Sequence, residues 1–338
     1  MRSELYTEGS TFKILGNDWN ELIDETSSNE VFFNWQWHST WWDHFGKNRK
    51  LRVLAVRKED GVLSGLASCY IELSPDGKRA MKYIGGIDIT DYLDIIVRPG
   101  IEDEVCKEIM DNWKSIEEEW DFIDLHCLKE TSITLKSLKR TALEKGYSVD
   151  VALEDVCPKI ELPSSWEDYL MLLDKKDRHE LKRKIRKFER LPESFVDSRI
   201  EDSIALNDRM ELFMDLHRKS NMKKKAFMDK DMEFFFHGIA HIMFPKDWIK
   251  LSFLGIDGGH AASSLCFDYQ NKIYLYNSGY DPQYSYLSPG IVLVGYLIRE
   301  AIESERCEFD FLRGKESYKY RFGAKDSYIY RMVINKNQ

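Results

Sequence analysis

Along the first half of the chain, apolar and polar residues alternate with a period of two at residues 51–57, 65–73 and 92–97. The pattern then turns helical over 102–117 and returns to a strand at 120–128. The second half repeats the order, with strands at 249–255, 261–269 and 272–278, a helix at 289–303 and a strand at 307–312. Three hairpin-like strands, a helix and a further strand predict an α/β (α+β) plan: a mixed, mostly antiparallel sheet flanked by helices, built twice.

Local matches support a diverged duplication. Val97-Arg98-Pro99-Gly100-Ile101 opens the first helix as Leu287-Ser288-Pro289-Gly290-Ile291 opens the second, and Phe122-Ile123-Asp124-Leu125 answers Phe309-Asp310-Phe311-Leu312. The expected domains are 1–160 and 161–338, the second carrying an inserted helical block at about 165–245. Within that block Trp166, Tyr169, Leu170 and Leu173 share one face, and Leu181, Ile185 and Phe188 continue it until Pro192. Further helices are expected at 202–219 and 231–244.

Composition narrows the function. The 338 residues carry a net charge of −9, which argues against a general nucleic-acid binder. Cations are nevertheless concentrated at 175–190, where nine Lys/Arg stand, and again at Lys223, Lys224 and Lys225, a distribution suited to a specific anionic ligand. The start of the chain lacks a signal-peptide pattern and no 18-residue apolar run occurs, so a cytoplasmic protein without a membrane span is expected. The six cysteines stand singly and read as small buried hydrophobes. His237 and His241 have zinc-helix spacing, but Gly238 stands where a metalloprotease needs glutamate, so no metal is expected. Neither a G-x-S-x-G elbow, nor a Walker loop, nor a dinucleotide G-x-G-x-x-G is present.

Three segments carry candidate chemistry. Ser288-Pro289-Gly290 follows an aromatic strand and starts a helix: serine suits the N-cap, proline the first position, and glycine admits a ligand to the backbone. The amides there, with the helix dipole, form a site for a diphosphate such as CoA carries. The preceding strand, with Tyr276 and Asn277, reaches Gly279, a candidate bulge; splaying from its neighbour would free backbone groups for a pantetheine arm. The segment 310–323 gathers ionisable groups where a structural turn needs few. There Tyr318 could protonate a leaving thiolate, Asp310 or Glu316 accept an amine proton, and Lys319 or Arg313 hold a phosphate or an oxyanion. Arg313–Glu316 and Lys315–Asp310 could equally be surface ion pairs. The tryptophans at 35, 37, 41 and 42 read mainly as core, with sugar stacking as the alternative.

With these residues placed, the chain resembles the FemAB-like GNAT acyltransferases, in particular the CelD-like or BioF2-like group. The resemblance rests on the aromatic segment 33–42, Asp91-Tyr92-Leu93-Asp94, Trp166-x-x-Tyr169, the run from Arg178 to Lys184, Ser288-Pro289-Gly290, Phe309 to Gly314, and Tyr318-Lys319-x-Arg321-Phe322-Gly323. It implies two tandem GNAT folds with the acyl-carrier cleft in the second, acetyl-CoA or another acyl-CoA as co-substrate, and an envelope or exopolysaccharide precursor as acceptor. Acceptor contacts are expected from Asp94, from Arg178, Lys182 and Arg183 on the basic helix, and from Lys315 and Arg321. The chain departs from single-domain GNATs, whose diphosphate loop usually reads Q/R-x-x-G-x-G/A, because here the stretch is Tyr284-Ser285-Tyr286-Leu287-Ser288-Pro289-Gly290.

The expected activity is N-acyl transfer to an amine, on a small or sugar-linked anionic acceptor such as an amino sugar. Two alternatives stand beside it: an aminoacyl-tRNA-dependent Fem-type ligase of peptidoglycan bridges, and a non-catalytic module binding anionic polysaccharide precursors. The sequence leaves the oligomeric state open.

Overall fold

The computed structural model describes residues 1–26 and 29–336. The chain forms two compact units, residues 1–155 with 327–338, and residues 156–326. The last strand, Tyr328–Asn335, thus returns to the first unit, where it pairs with Phe122–Lys129.

The first unit is built on a sheet in the order Arg2–Tyr6, Lys50–Arg57, Leu63–Leu73, Arg79–Tyr83, Phe122–Lys129, Tyr328–Asn335 and Ser148–Val156, with Ile96–Val97 against Leu63–Leu73. The second unit has the order Lys159–Glu161, Glu308–Asp310, Lys272–Tyr280, Gly259–Tyr269, Ile249–Ile256 and Phe195–Asp197. Each unit joins a run of antiparallel strands to a parallel neighbour: Ala80 pairs with Phe122 in the first, and Tyr274 with Asp310 in the second. A helix spans each crossover, Glu102–Ser115 and Pro289–Glu303. The doubled plan read from the sequence is therefore present.

Its third strand in the first unit is displaced. The counterpart of Lys272–Tyr280 is Arg79–Tyr83, whereas of residues 92–97 only Ile96–Val97 join a ladder. Tyr92, Leu93 and Ile95 are buried without joining a ladder, and Asp94 between them supplies the acceptors that a ladder would otherwise supply. Its carboxylate takes the amides of Ile95, Ile133 and Thr134 and the Thr134 hydroxyl at 2.6–3.0 Å. Burial pushes the Asp94 carboxyl up, and the bonds from Thr134, Ser132 and Ile133 oppose that shift.

In the second unit the first stretch of the inserted block is not one continuous helix but two, Trp166–Leu172 and Lys175–Glu189, separated where Leu173 turns extended. Lys175–Glu189 buries Leu181, Ile185 and Phe188. It crosses Pro289–Glu303 closely at Gly295, where an added Cβ would meet Leu181 Cδ1 at 3.0 Å. Burying three such side chains contributes roughly 1.5–3 kcal/mol each. On the other side of the sheet lie Ser203–Ser220 and Lys230–Met243, with Phe213 and Phe236 stacked at 6.2 Å and Phe236 lying 5.5 Å from Tyr276.

Trp37 and Trp41 are core residues, Trp37 donating to Thr90 Oγ1 at 2.9 Å. Five cysteines are buried, while Cys307 is exposed, contrary to the expectation for all six. Among the described residues no helix is long and apolar enough to cross a membrane, and no group of three His, Cys, Asp or Glu side chains is arranged to hold a metal ion. His237 and His241 instead face Glu211 and Asn207 at 3.0 and 2.8 Å.

Candidate active site

Strand Lys272–Tyr280 is held by Gly259–Tyr269 along its length, but its parallel neighbour accompanies it only from Lys272 to Tyr274. Beyond the Tyr274–Asp310 pair the two strands part. The neighbour is turned away at Leu312, whose φ of 57° lies in the left-handed region and whose amide bonds to Asp310 Oδ1 at 2.7 Å. Asp310, 2% exposed, therefore holds the turn and does not face open space.

Lys319 completes that turn. Its ammonium, on a residue 2% exposed, donates to the carbonyls of Leu312, Arg313 and Gly314 at 3.0, 2.8 and 3.1 Å and pairs with Glu316 at 2.9 Å. With its protons already committed, Lys319 is placed as a clamp on residues 312–316 and not as a free oxyanion donor. Glu316, more than half exposed, is the carboxylate of this cluster open to solvent.

The parting strand also carries a bulge. Leu265 pairs with Asn277 and Cys266 with Leu275, so the register shifts at Tyr276, the extra residue of a bulge. The expected bulge at Gly279 thus lies at Tyr276. It resets the alternation: Ile273 and Leu275 join the core beneath Pro289–Glu303, whereas Tyr276 and Asn277 both address the opposite helices. Gly279 serves a different need, the close approach of helix Ser203–Ser220.

From that helix His217 reaches the opening, its Nε2 lying 3.1 Å from Asn277 Oδ1. Its Nδ1 is buried without a hydrogen-bond partner. Burial, and secondarily the Lys224 ammonium, lower the His217 imidazole to about 4 despite the Asn277 bond, so it is neutral at pH 7. Lys224, from Met222–Phe227, donates to the Ser278 carbonyl on the parted strand. Its ammonium is lowered by burial, opposed by the Glu316 carboxylate.

Tyr318 stands on the other flank, on the short helix Ser317–Arg321, its ring 6.1 Å from that of Phe311. Its hydroxyl forms no hydrogen bond with a described residue. Burial raises it first, then the Glu316 carboxylate and the Cys266 thiol, so it stays protonated.

The helix start differs from a simple cap. Ser288 is left-handed, with φ 54°, and its side chain caps no amide. The amides of Ile291 and Val292 close onto the Ser288 carbonyl at 3.0 and 3.1 Å, and Pro289 has none to offer. Gly290 is left with its amide unclaimed and with open space where a Cβ would stand. Ser288 Oγ accepts from Lys184 Nζ at 2.9 Å, and Lys187 Nζ donates to the Tyr286 carbonyl at 3.2 Å. Two ammonium groups thus flank the loop before the helix.

The other expected site residues are dispersed. Arg178 turns to Leu170 O and Met171 Sδ, Arg183 is forked onto Glu180 at 2.7 and 2.9 Å, and Lys182 is half-buried on the same helix. Lys315 and Arg321 are exposed, Arg313 is half-buried, and Asp94 is locked in the first unit. Sequence reasoning missed Lys184, Lys187 and His217 as site residues, and marked Lys224 only as part of the second basic knot. The first two stood inside the marked basic run, but the crossing at Gly295 decides which edge of the helix meets the loop.

Residues 175–320 match the family model of an acetyltransferase (GNAT) domain. No curated protein matches the sequence. Among solved structures the chain is similar to FemX, with a TM-score of 0.68 at 11% identity over 98% of this chain and 97% of that one. The C-terminal domain of a putative lysylphosphatidylglycerol synthetase from Agrobacterium fabrum gives 0.60 at 8% identity, covering 98% and 93%. A tandem GNAT protein from the clavulanic acid biosynthesis pathway gives 0.51 at 9%, covering 100% of both. At such identities the likeness is one of fold.

Proposed function

From a chain with FemAB-like double-domain GNAT architecture, we propose an acyl-CoA-dependent N-acyltransferase that acetylates an amine, with an amino sugar of a cell-envelope or exopolysaccharide precursor as acceptor. The observation that carries this reading is the parting of the two strands after Tyr274 and Asp310, bordered by the bulge at Tyr276 and the unpaired Tyr318 hydroxyl. A pantetheine arm fits such an opening because it is an extended chain of amides that can borrow the hydrogen bonds a missing neighbour strand leaves. Its diphosphate would lie at the Gly290 amide, between Lys184 and Lys187.

In this reading the neutral amine attacks the thioester carbonyl carbon. The C–N bond forms, the C–S bond breaks, and the Tyr318 hydroxyl gives its proton to the departing thiolate. Glu316, the exposed carboxylate at the mouth, takes the proton that the amine sheds. Lys319 acts through the turn it clamps, and Asp310 through the amide it fixes at Leu312. Positioning supplies most of the acceleration.

Purified protein mixed with acetyl-CoA and a panel of amino sugars should release free thiol together with an N-acetylated sugar seen by mass spectrometry. Failure of any acyl-CoA to bind by calorimetry would overturn the donor assignment. Binding and slow hydrolysis without transfer to any amine would overturn the acceptor class alone.

A further inference from the structure

The basic face of helix Lys175–Glu189 has an unused side. His179, Arg183, Arg186, Lys187 and Arg190, with Leu191, line a concavity of about 770 Å³. Lys187 borders both this concavity and the loop before Pro289, since it donates to the Tyr286 carbonyl at 3.2 Å and stands 5.4 Å from the centre of the Tyr286 ring. The Tyr286 ring is itself 69% exposed.

The charges in this concavity are not balanced. Arg183 is satisfied by Glu180, but Arg186 and Arg190 have neither an ion pair nor a hydrogen bond among the described residues. Several guanidinium groups elsewhere are met by carboxylates, such as Arg79 by Asp121, Arg306 by Asp268 and Arg331 by Asp124. Two unpaired guanidinium groups four residues apart lie on one helix face. Their planar forks match the paired oxygens of a phosphomonoester. The helix rises about 9 Å from Lys184 to Arg190. That is within reach of the ribose that separates the diphosphate of CoA from its 3′-phosphate.

We propose that this concavity is the seat of the donor's nucleotide end, with Arg186 and Arg190 holding the 3′-phosphate of CoA and the exposed Tyr286 ring offering a stacking face to the adenine. The inference rests on the diphosphate reading of the Ser288–Gly290 loop and extends it. The basic helix then serves the donor, and acceptor selection lies with other residues.

Calorimetry of the full chain with CoA and with 3′-dephospho-CoA tests this. The wild type should bind CoA about tenfold or more tightly than 3′-dephospho-CoA, the scale of one charge-assisted phosphate contact. The double variant Arg186→Gln/Arg190→Gln should bind both at the weaker level, with 3′-dephospho-CoA unchanged within about twofold. Both positions are exposed, so the variant should retain the wild-type circular dichroism and melting temperature. Equal wild-type affinity for the two ligands overturns the proposal and leaves the donor assignment standing. So does an equal loss of both in the double variant. Salt-steep tRNA binding that the double variant abolishes, with CoA binding untouched, also overturns it, and binding of neither ligand removes it together with the diphosphate site.

Discussion

Gly279 lies against the backbone of His217: a Cβ at residue 279 would stand 2.4 Å from the His217 amide nitrogen and 2.5 Å from the Leu216 carbonyl carbon. Helix Ser203–Ser220 therefore rests directly on the strand that parts from its neighbour, and the backbone itself sets the spacing. Since no flexible side chain can yield, Gly279→Ala must push helix and strand apart. We expect a loss of about 2–3 kcal/mol or more in urea unfolding, the cost of overpacking a closed contact. An unchanged midpoint would show that the helix backbone does not rest on Gly279.

Gly290 is the opposite case, because a Cβ there meets no protein atom within 4 Å and its φ is not in the left-handed region. Gly290→Ala should leave the melting temperature within about a degree of wild type, or raise it slightly through helix propensity. Acyl-CoA binding should fall at least about tenfold, because the methyl group occupies the approach to the unclaimed Gly290 amide. Unchanged affinity would place the diphosphate elsewhere.

Tyr318 and Lys319 are neighbours with separable roles. Tyr318→Phe removes a hydroxyl without a partner, so folding should be unaffected while kcat falls on the order of 10²-fold and KM stays put. Lys319→Met strips the carbonyls of Leu312, Arg313 and Gly314 of a buried donor and should destabilise the second unit by roughly 3–5 kcal/mol. Denaturation curves and steady-state rates measured on both variants check this. A stable, inactive Lys319→Met would move Lys319 into the reaction itself.

Much of this arrangement could be read from residue pattern alone. Helix Pro289–Glu303 was bounded correctly because Pro289 opens it, and the strands flanking it carry clean alternation. Three things were not legible. Tyr276 and Asn277 alternate like their neighbours, so the bulge appears only in the register against Leu265 and Cys266. Lys319 looks like any ammonium beside acidic residues, and its commitment to three carbonyls depends on a turn made possible by the left-handed Leu312. Asp94 sits in an apolar run that mimics a strand, because a buried carboxylate can replace a ladder in satisfying the amides of Ile133 and Thr134. Each case turns on a tertiary contact that local pattern does not encode.

His217 gives the protein an acid-sensitive element. In the unfolded chain its imidazole titrates near about 6.5, whereas in the fold burial lowers it to about 4, with the Lys224 and Arg218 charges adding to the shift and the Asn277 bond opposing it. Between these values the unfolded chain binds the extra proton. Stability from this residue is therefore complete above about pH 6.5 and is lost as pH falls toward 4, with a limiting slope of about 1.4 kcal/mol per pH unit. Other buried groups contribute to the wild-type profile, including His38, so the informative quantity is a difference. His217→Phe should make the plot of unfolding free energy against pH shallower by one proton's worth across that window, whatever its effect on stability at pH 7. Urea titrations of both proteins at half-unit steps measure the two slopes. Parallel curves would mean that the imidazole at residue 217 keeps its ordinary titration and is not held neutral beside Asn277.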